Sequence, residues 1–320
     1  MARIATLGSA LSDIYLVDHD DLRPTNLGEV AILGKILVGS KVEIDQLRYE
    51  VGGGGINSAV TLARHGHEVV PFTQIGRDQA GQEVMRVLDR EGIDNSYVAY
   101  AGRKTTGTSV ILLDSKSGER TILTYRGASA DFKSFDENDL ALIAPDWLYI
   151  TTLGGDLTTL ERFLKKAHEL DIKVMLNPGG GELAQAKALM KLLNNVNILL
   201  VNKREASELV PGALLTELGY RLARYTDIAL ITDGAMGGVA VCDSDGYRFG
   251  IYEDQRVKDA TGAGDAFGSG FLAAYADGRS LKQSILFASA NATAVVASIG
   301  ANRGALTGRE ALHPMPIQKL

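Results

Sequence analysis

Through the middle and C-terminal parts of the chain, short apolar runs alternate with longer stretches whose apolar residues recur every three or four positions. DWLYITT (146–152) precedes the amphipathic TTLERFLKKAHEL (158–170), and KVMLNPG (173–179) precedes ELAQAKALMKLLNN (182–195). NILLVN (197–202) leads into KREASELV (203–210), and IALITDG (228–234) into GGVAVCD (237–243). This alternation predicts repeated strand–helix units and a mainly parallel sheet. Ligands of such sheets gather beyond the carboxyl ends of the strands, which is where chemistry is to be sought.

The N-terminal part reads differently. After RIATLGSALSDIYLV (3–17), the chain to about Val51, including EVAILGKILVGSKVEIDQLRYEV (29–51), shows strand-like alternation punctuated by glycine. A second β-rich section runs from Tyr97 to Tyr125, with TSVILLD and RTILTY flanking the hairpin-like SKSGE. Between these sections GINSAVTLARHG (55–66) reads as a helix and EVVPFTQIG (68–76) as a strand. Neither β section is long enough for a domain, so together they predict one small sheet projecting from an α/β core. The expectation is a single domain over 1–320, with lid segments at about 14–50 and 97–125.

Composition narrows the function classes. A chain of 320 residues, 45% of them hydrophobic, can bury a large core. A net charge of −6 without a basic face weighs against a nucleic-acid partner. Cys242 is the single cysteine, which excludes an intrachain disulfide and a cysteine-based zinc site and fits a reducing cytoplasm. Within GVAVC it reads as a small core side chain. The five histidines lack metal-ligand spacing, and His65 and His67 in RHGHE are expected to face solvent or serve the turn. Asp13 interrupts the only apolar stretch near the start, so no signal peptide is read there. The longest uncharged run, Ile285 to Ala301, is short for a bilayer span and rich in Ala, Ser and Asn. It predicts a helix buried in protein, with no membrane partner.

Four segments carry candidate chemistry. In KDATGAGDAFGSGFLAAYADG (258–278), Gly262, Ala263 and Gly264 precede Asp265 and a helix. Such a turn leaves backbone N–H groups free to hold a developing anion, and Asp265 there can accept a proton from an attacking hydroxyl. An ordinary helix N-cap is the plainer use of that aspartate. In VGGGGINSAVTLARHG (51–66), the glycines at 52–55 admit close approach of a ligand or simply form a flexible turn. In NILLVNKREASELV, Asn202 and Glu205 can orient magnesium-bound water beside phosphates, or can form a capping box. In ALITDGAMGGVAV, Thr232, Gly234 and Gly237 mark a tight turn able to admit a nucleotide, or a glycine hairpin. No GxGxxG follows the first strand, which argues against a dinucleotide-dependent dehydrogenase.

Taken in order, GGGGIN, NKRE, TDGAMGG and DATGAGDAF resemble the ribokinase-like, or PfkB-type, carbohydrate kinase family over nearly the whole chain. The resemblance implies a three-layer α/β/α core with a mainly parallel sheet and a small β-sheet lid. It implies ATP-dependent phosphorylation of a hydroxymethyl group on a sugar-like molecule. Asp265 would be the base, and the backbone of Gly262, Ala263 and Gly264 the anion hole. Asp13, Gly53, Gly54 and Asn57 would bind substrate hydroxyls. Asn202 and Glu205 would serve the phosphates and Mg2+, Thr232, Gly234 and Gly237 the nucleotide, and Asn291 the adenine. A structural polar residue packed in a helix is the plainer reading of Asn291. Several relatives hold a monovalent cation such as K+, which would fall at Asp259 and Thr261 with the segment 298–304.

Arg126, at the end of the second lid section, and Thr108 are candidate substrate contacts. Arg103 and Lys104 read more simply as solvated charges. A Gly occupies the glycine-loop position that is basic in many relatives, which weighs against a sugar phosphate. Neutral sugars, sugar acids and nucleosides stay open, with nucleosides ranked lower for want of aromatic platforms. A non-catalytic sensor on the same fold is the alternative class, and an intact Asp265 argues against it. The apolar lid edge predicts a homodimer through the lid.

Overall fold

Strands whose alternate side chains are both apolar must be covered on both faces, and that requirement organises this chain. The computed structural model describes residues 1–17, 25–27, 30–32, 41, 43–114, 118, 120–243, 245–253 and 255–320. The first elements are β1 (Arg3–Leu7), β2 (Leu11–Val17), β3 (Thr25–Leu27), β4 (Val30–Ile32), β5 (Gln46–Gly52), α1 (Gly54–His65) and β6 (Glu68–Ile75). Then come α2 (Gln79–Arg90), β7 (Val98–Tyr100), β8 (Gly107–Leu113), β9 (Arg120–Tyr125), α3 (Asp139–Ile143), β10 (Trp147–Ile150), α4 (Leu157–Glu169) and β11 (Lys173–Leu176). They are followed by α5 (Gly180–Leu183), α6 (Ala186–Leu192), β12 (Ile198–Asn202), α7 (Lys203–Leu209), α8 (Leu215–Leu222) and β13 (Ile228–Thr232). The last are β14 (Gly238–Cys242), β15 (Asp245–Phe249), α9 (Ala263–Ala276), α10 (Leu281–Val296) and β16 (Ile317–Lys319).

The large sheet has the order β16-β15-β14-β13-β12-β11-β10-β1-β6-β7. From β13 to β7 neighbouring strands are parallel, and β14, β15 and β16 extend the sheet antiparallel. Strand alternation divides the core in two. Trp147 and Tyr149 of β10 join Phe271, Leu272 and Phe287 of α9 and α10 on one face. Leu148 and Ile150 join Phe163 and Leu164 of α4 on the other. The result is a three-layer α/β/α fold with a large, mostly parallel sheet.

A second sheet, β5-β2-β8-β9, stands apart. Its strands come from both β-rich sections of the sequence, with β2 antiparallel to β5, parallel to β8, and β8 antiparallel to β9. RIATLGSALSDIYLV breaks after Leu7, and its halves join different sheets. Two details differ from the sequence reading. Val98–Tyr100 pairs with β6 at the edge of the large sheet. ELAQAKALMKLLNN is two short helices and a 3-10 turn, not one helix. Residues 29, 33–40 and 42 of the segment 29–51, and most of SKSGE, lie outside the described residues.

The expected buried helix near the C-terminus is present as α10, packed on α9, and no helix among the described residues is long and apolar enough to cross a membrane. The side chains of the two histidines of RHGHE, expected to face solvent or serve the turn, are buried. His67 Nδ1 accepts from the Ala2 N–H at 3.1 Å, so its Nε2 carries the proton offered to the Ala273 carbonyl at 3.0 Å. His65 Nε2 lies 3.2 Å from Asp277, and burial lowers its pKa to about 4, leaving a neutral ring. The pair ties the end of α1 to the end of α9, which a turn-composition argument does not anticipate.

Candidate active site

The carboxyl ends of β1, β10, β11, β12 and β13 open into a cleft of about 420 Å³, roofed by the small sheet. Asp265 forms its floor. Gly262, the residue before α9, takes φ +77°, and a Cβ there would fall 2.6 Å from the Ala301 Cβ. Only glycine allows that turn. Gly262, Ala263 and Gly264 line the cleft, and the first N–H groups of a helix have no intrahelical acceptor. A Cβ at Gly264 would meet nothing within 4 Å, so that side of the loop is open to a ligand.

Asp265 is partly buried, and desolvation pushes its pKa up, while a 2.8 Å bond donated by Asn57 Nδ2 to Oδ2 opposes the rise. Asn57 is itself fixed, because Asn302 Nδ2 donates to its Oδ1 at 3.0 Å and to the Val51 carbonyl at 2.9 Å. A relay of amides, Asn302 to Asn57 to Asp265, thus orients the carboxylate. Asn302 was not picked out by its chemistry from the sequence, since no motif distinguishes it within SIGANRG.

The glycine loop crosses close to β1 and β2. A Cβ at Gly52 would fall 2.0 Å from Asp13 Oδ2, and Gly53 takes φ +90°. Gly53 and Gly54 line the cleft. Asp13 lies buried on β2 in the same cleft; desolvation raises its pKa to about 6, opposed by Ser109. Ser109 and Thr151 also line the cleft, and the Thr151 hydroxyl is buried without a partner. Neither was singled out from sequence; both follow once strand alternation and sheet order are known.

Asn202 and Glu205 line the opposite end. They form the reciprocal cap: Asn202 N–H donates to Glu205 Oε2 at 2.9 Å, and Glu205 N–H to Asn202 Oδ1 at 3.0 Å. The capping and ligand-binding readings are therefore compatible, because Glu205 Oε1 and Asn202 Nδ2 are not used by the cap. Thr232 lines the cleft beside them, while Gly234 and Gly237 sit beyond it in the turn from β13 to β14.

Two candidates lie elsewhere. Thr108 faces away from the cleft, because its neighbour Ser109 takes the inward position on β8; its hydroxyl donates to the Thr106 carbonyl. Asn291 is fully buried between helices, with Nδ2 donating to the Ala266 carbonyl at 2.7 Å and Oδ1 accepting from Leu306 N–H at 2.8 Å. These bonds fit the reading of Asn291 as a polar residue packed in a helix. Arg126 lines the cleft, as does Arg120, which was passed over as part of a strand.

Asp259 is fully buried beside the Gly262 turn. Its carboxylate accepts from Thr261 N–H at 2.8 Å and from Gly300 N–H at 3.1 Å. Among the described residues no Lys or Arg pairs with it, and the Thr261 hydroxyl is buried without a partner.

A family model described as "pfkB family carbohydrate kinase" matches residues 2–307. The ribokinase of Bacillus subtilis is 28% identical over 312 residues, covering 97% of this chain and 98% of that protein. A nucleoside kinase of Methanocaldococcus jannaschii is 26% identical over 262 residues, covering 82% and 84%. The crystal structure of adenosine kinase from Sinorhizobium meliloti superposes with a TM-score of 0.78 at 21% identity, covering 96% and 97%.

Proposed function

Because the chain belongs to the pfkB family of carbohydrate kinases, we propose that Asp265 is the general base by which it transfers phosphate from ATP to a hydroxymethyl group. The coarse activity follows from membership: an ATP-dependent kinase acting on a small sugar or sugar-like molecule. The observation that carries the finer reading is the partly buried, amide-oriented Asp265 in the first turn of α9, at the floor of a cleft lined also by the candidate nucleotide residues.

In this reading Asp13 and Asn57 hold substrate hydroxyls, with Gly53 and Gly54 giving close backbone approach. Asp265 accepts the hydroxyl proton as that oxygen attacks the γ-phosphorus and ADP leaves. The N–H groups that follow Gly262 hold charge on the phosphoryl oxygens. Asn202 and Glu205 face the ATP phosphates and suit Mg2+ through water; Mg2+ would neutralise phosphate charge. Thr232 contacts the nucleotide at the rim. Asp259 and Thr261 would hold K+ next to the anion hole. The sheet β5-β2-β8-β9 acts as a lid on a single domain, excluding water, and pairs with that of a second copy.

A coupled ADP-release assay with Mg-ATP across neutral sugars, sugar acids, sugar phosphates and nucleosides tests this, run in Na+ and in K+. A substrate-dependent signal that falls at least ~10²-fold in Asp265→Asn is expected. Near-wild-type turnover in that variant rules out Asp265 as the base. No ADP release with any acceptor, from folded protein that still binds ATP, would favour a non-catalytic nucleotide-binding sensor.

A further inference from the structure

Strand β9 presents one face to the cleft and the other outward. Alternate residues Arg120, Ile122, Thr124 and Arg126 all line the cleft, whereas Leu123 and Tyr125 do not. Building on the kinase reading above, we infer that the acceptor carries an oxyanion, a carboxylate or a phosphate, read by these two arginines of the lid.

Three observations carry this. First, Arg120 is partly buried, yet its Nε is fully shielded from water without an acceptor. Buried donors of a charged group are seldom left unmet, so an acceptor is missing from the cleft. Second, among the described residues no carboxylate pairs with Arg120 or Arg126. The three carboxylates of the same cleft are engaged elsewhere: Asp265 with Asn57, Glu205 with the Asn202 N–H, and Asp13 with Ser109. A neutral acceptor would leave both guanidinium groups facing the cleft without a directly paired carboxylate. Third, Arg126 stands at the acceptor end. Its Nη1 lies 3.7 Å from where a Cβ on Gly154 would sit, in the loop after β10. It follows Thr124, which pairs with Ser109, which pairs with Asp13. The candidate nucleotide residues Asn202 and Thr232 are on β12 and β13, further along the sheet.

The planar guanidinium fork matches carboxylate and phosphate oxygens with two parallel bonds, which a hydroxyl cannot reproduce. The glycine loop adds no cation of its own. Recognition of the anion thus falls to β9, and closing the lid on an anionic acceptor would bring both arginines to it.

The test is calorimetric titration without nucleotide, using fructose, 2-ketogluconate and fructose 6-phosphate as probes. Wild type, Arg126→Gln and Arg120→Gln are compared, with the Kd for Mg-ATP measured on each. At least one anionic probe should bind ~10-fold or more tighter than fructose, and Arg126→Gln should remove that preference. Which anion gains shows whether the group is carboxylate or phosphate. Equal or tighter binding of fructose overturns the inference. So does an Arg126→Gln variant that keeps the anion preference, or one that weakens only Mg-ATP, which would assign the arginines to the transferring phosphate. If Arg120→Gln does not fold, as read by its melting curve, Arg126→Gln alone decides. These titrations need no turnover, so their failure is separable from failure of Asp265 in the ADP-release assay.

Discussion

The two aspartates of the cleft are held by different neighbours and should behave differently. Burial raises the pKa of Asp13 from 3.8 to about 6. A folded-state pKa above the unfolded value means the folded protein binds the proton more tightly. The stabilisation is present below pH 3.8 and is lost as pH rises through about 6. At pH 8 the buried charge then costs about 3 kcal/mol, an order-of-magnitude figure from the shift. Asp13→Asn should therefore melt higher than wild type at pH 8 and equal to it near pH 4. In wild type, kcat/KM should fall below about pH 6 as Asp13 loses its capacity to accept hydroxyl bonds; a profile flat from pH 5 to 8 would contradict its role. Asn302→Ala should release Asn57 and, through it, Asp265. A loss of roughly 10–100-fold in kcat, with KM for ATP little changed, is expected from misplacing a catalytic group. Asp265 and Asn57 were legible because they sit in dense motifs. Asn302 was not, because its role exists only where the chain brings residues far apart in sequence to 3.0 Å.

Helix starts and helix contacts decide what each motif can do. Gly262→Ala would put a Cβ on Ala301 in a backbone conformation that alanine rarely adopts. A loss of about 1–3 kcal/mol in stability is expected, together with lost activity, because the turn that leads into α9 must shift. Asn291→Ala leaves the Ala266 carbonyl and the Leu306 N–H without their partners. It should cost about 1–3 kcal/mol in thermal or urea unfolding while KM for ATP stays constant; a raised KM at unchanged stability would return Asn291 to the adenine. Strand and helix types in the core were readable because their apolar periods run long. The break after Leu7 was not, since Gly8 and Ser9 look like ordinary punctuation within an apolar stretch. What separates β1 from β2 is packing: a Cβ at Gly8 would strike the Thr151 hydroxyl and the Gly55 backbone.

At the scale of the molecule, the small sheet has an inner face that closes the cleft and an outer face that is apolar. Tyr49, Ile14, Val110 and Leu123 sit opposite one another in sequence across all four strands, forming a continuous row. Tyr49 is 65% exposed and Leu123 59%, and Leu47 and Tyr125 beside them are exposed as well. A contiguous apolar face of this kind is rarely left to water. Two copies of the same face, related by a two-fold axis, would cover it and leave both clefts open. Because β2, β8 and β9 carry Asp13, Ser109 and Arg126 on or next to their inner faces, such a pairing would stiffen the surface that meets the substrate. The double substitution Tyr49→Lys with Leu123→Lys places like charges in the row without touching the cleft. Light scattering should then report a dimer for wild type and a monomer for the variant. If the dimer also stiffens the lid, KM for the acceptor rises in the variant while the melting point of the core changes little. A monomeric wild type at working concentration would mean that this apolar row is not covered by a second copy.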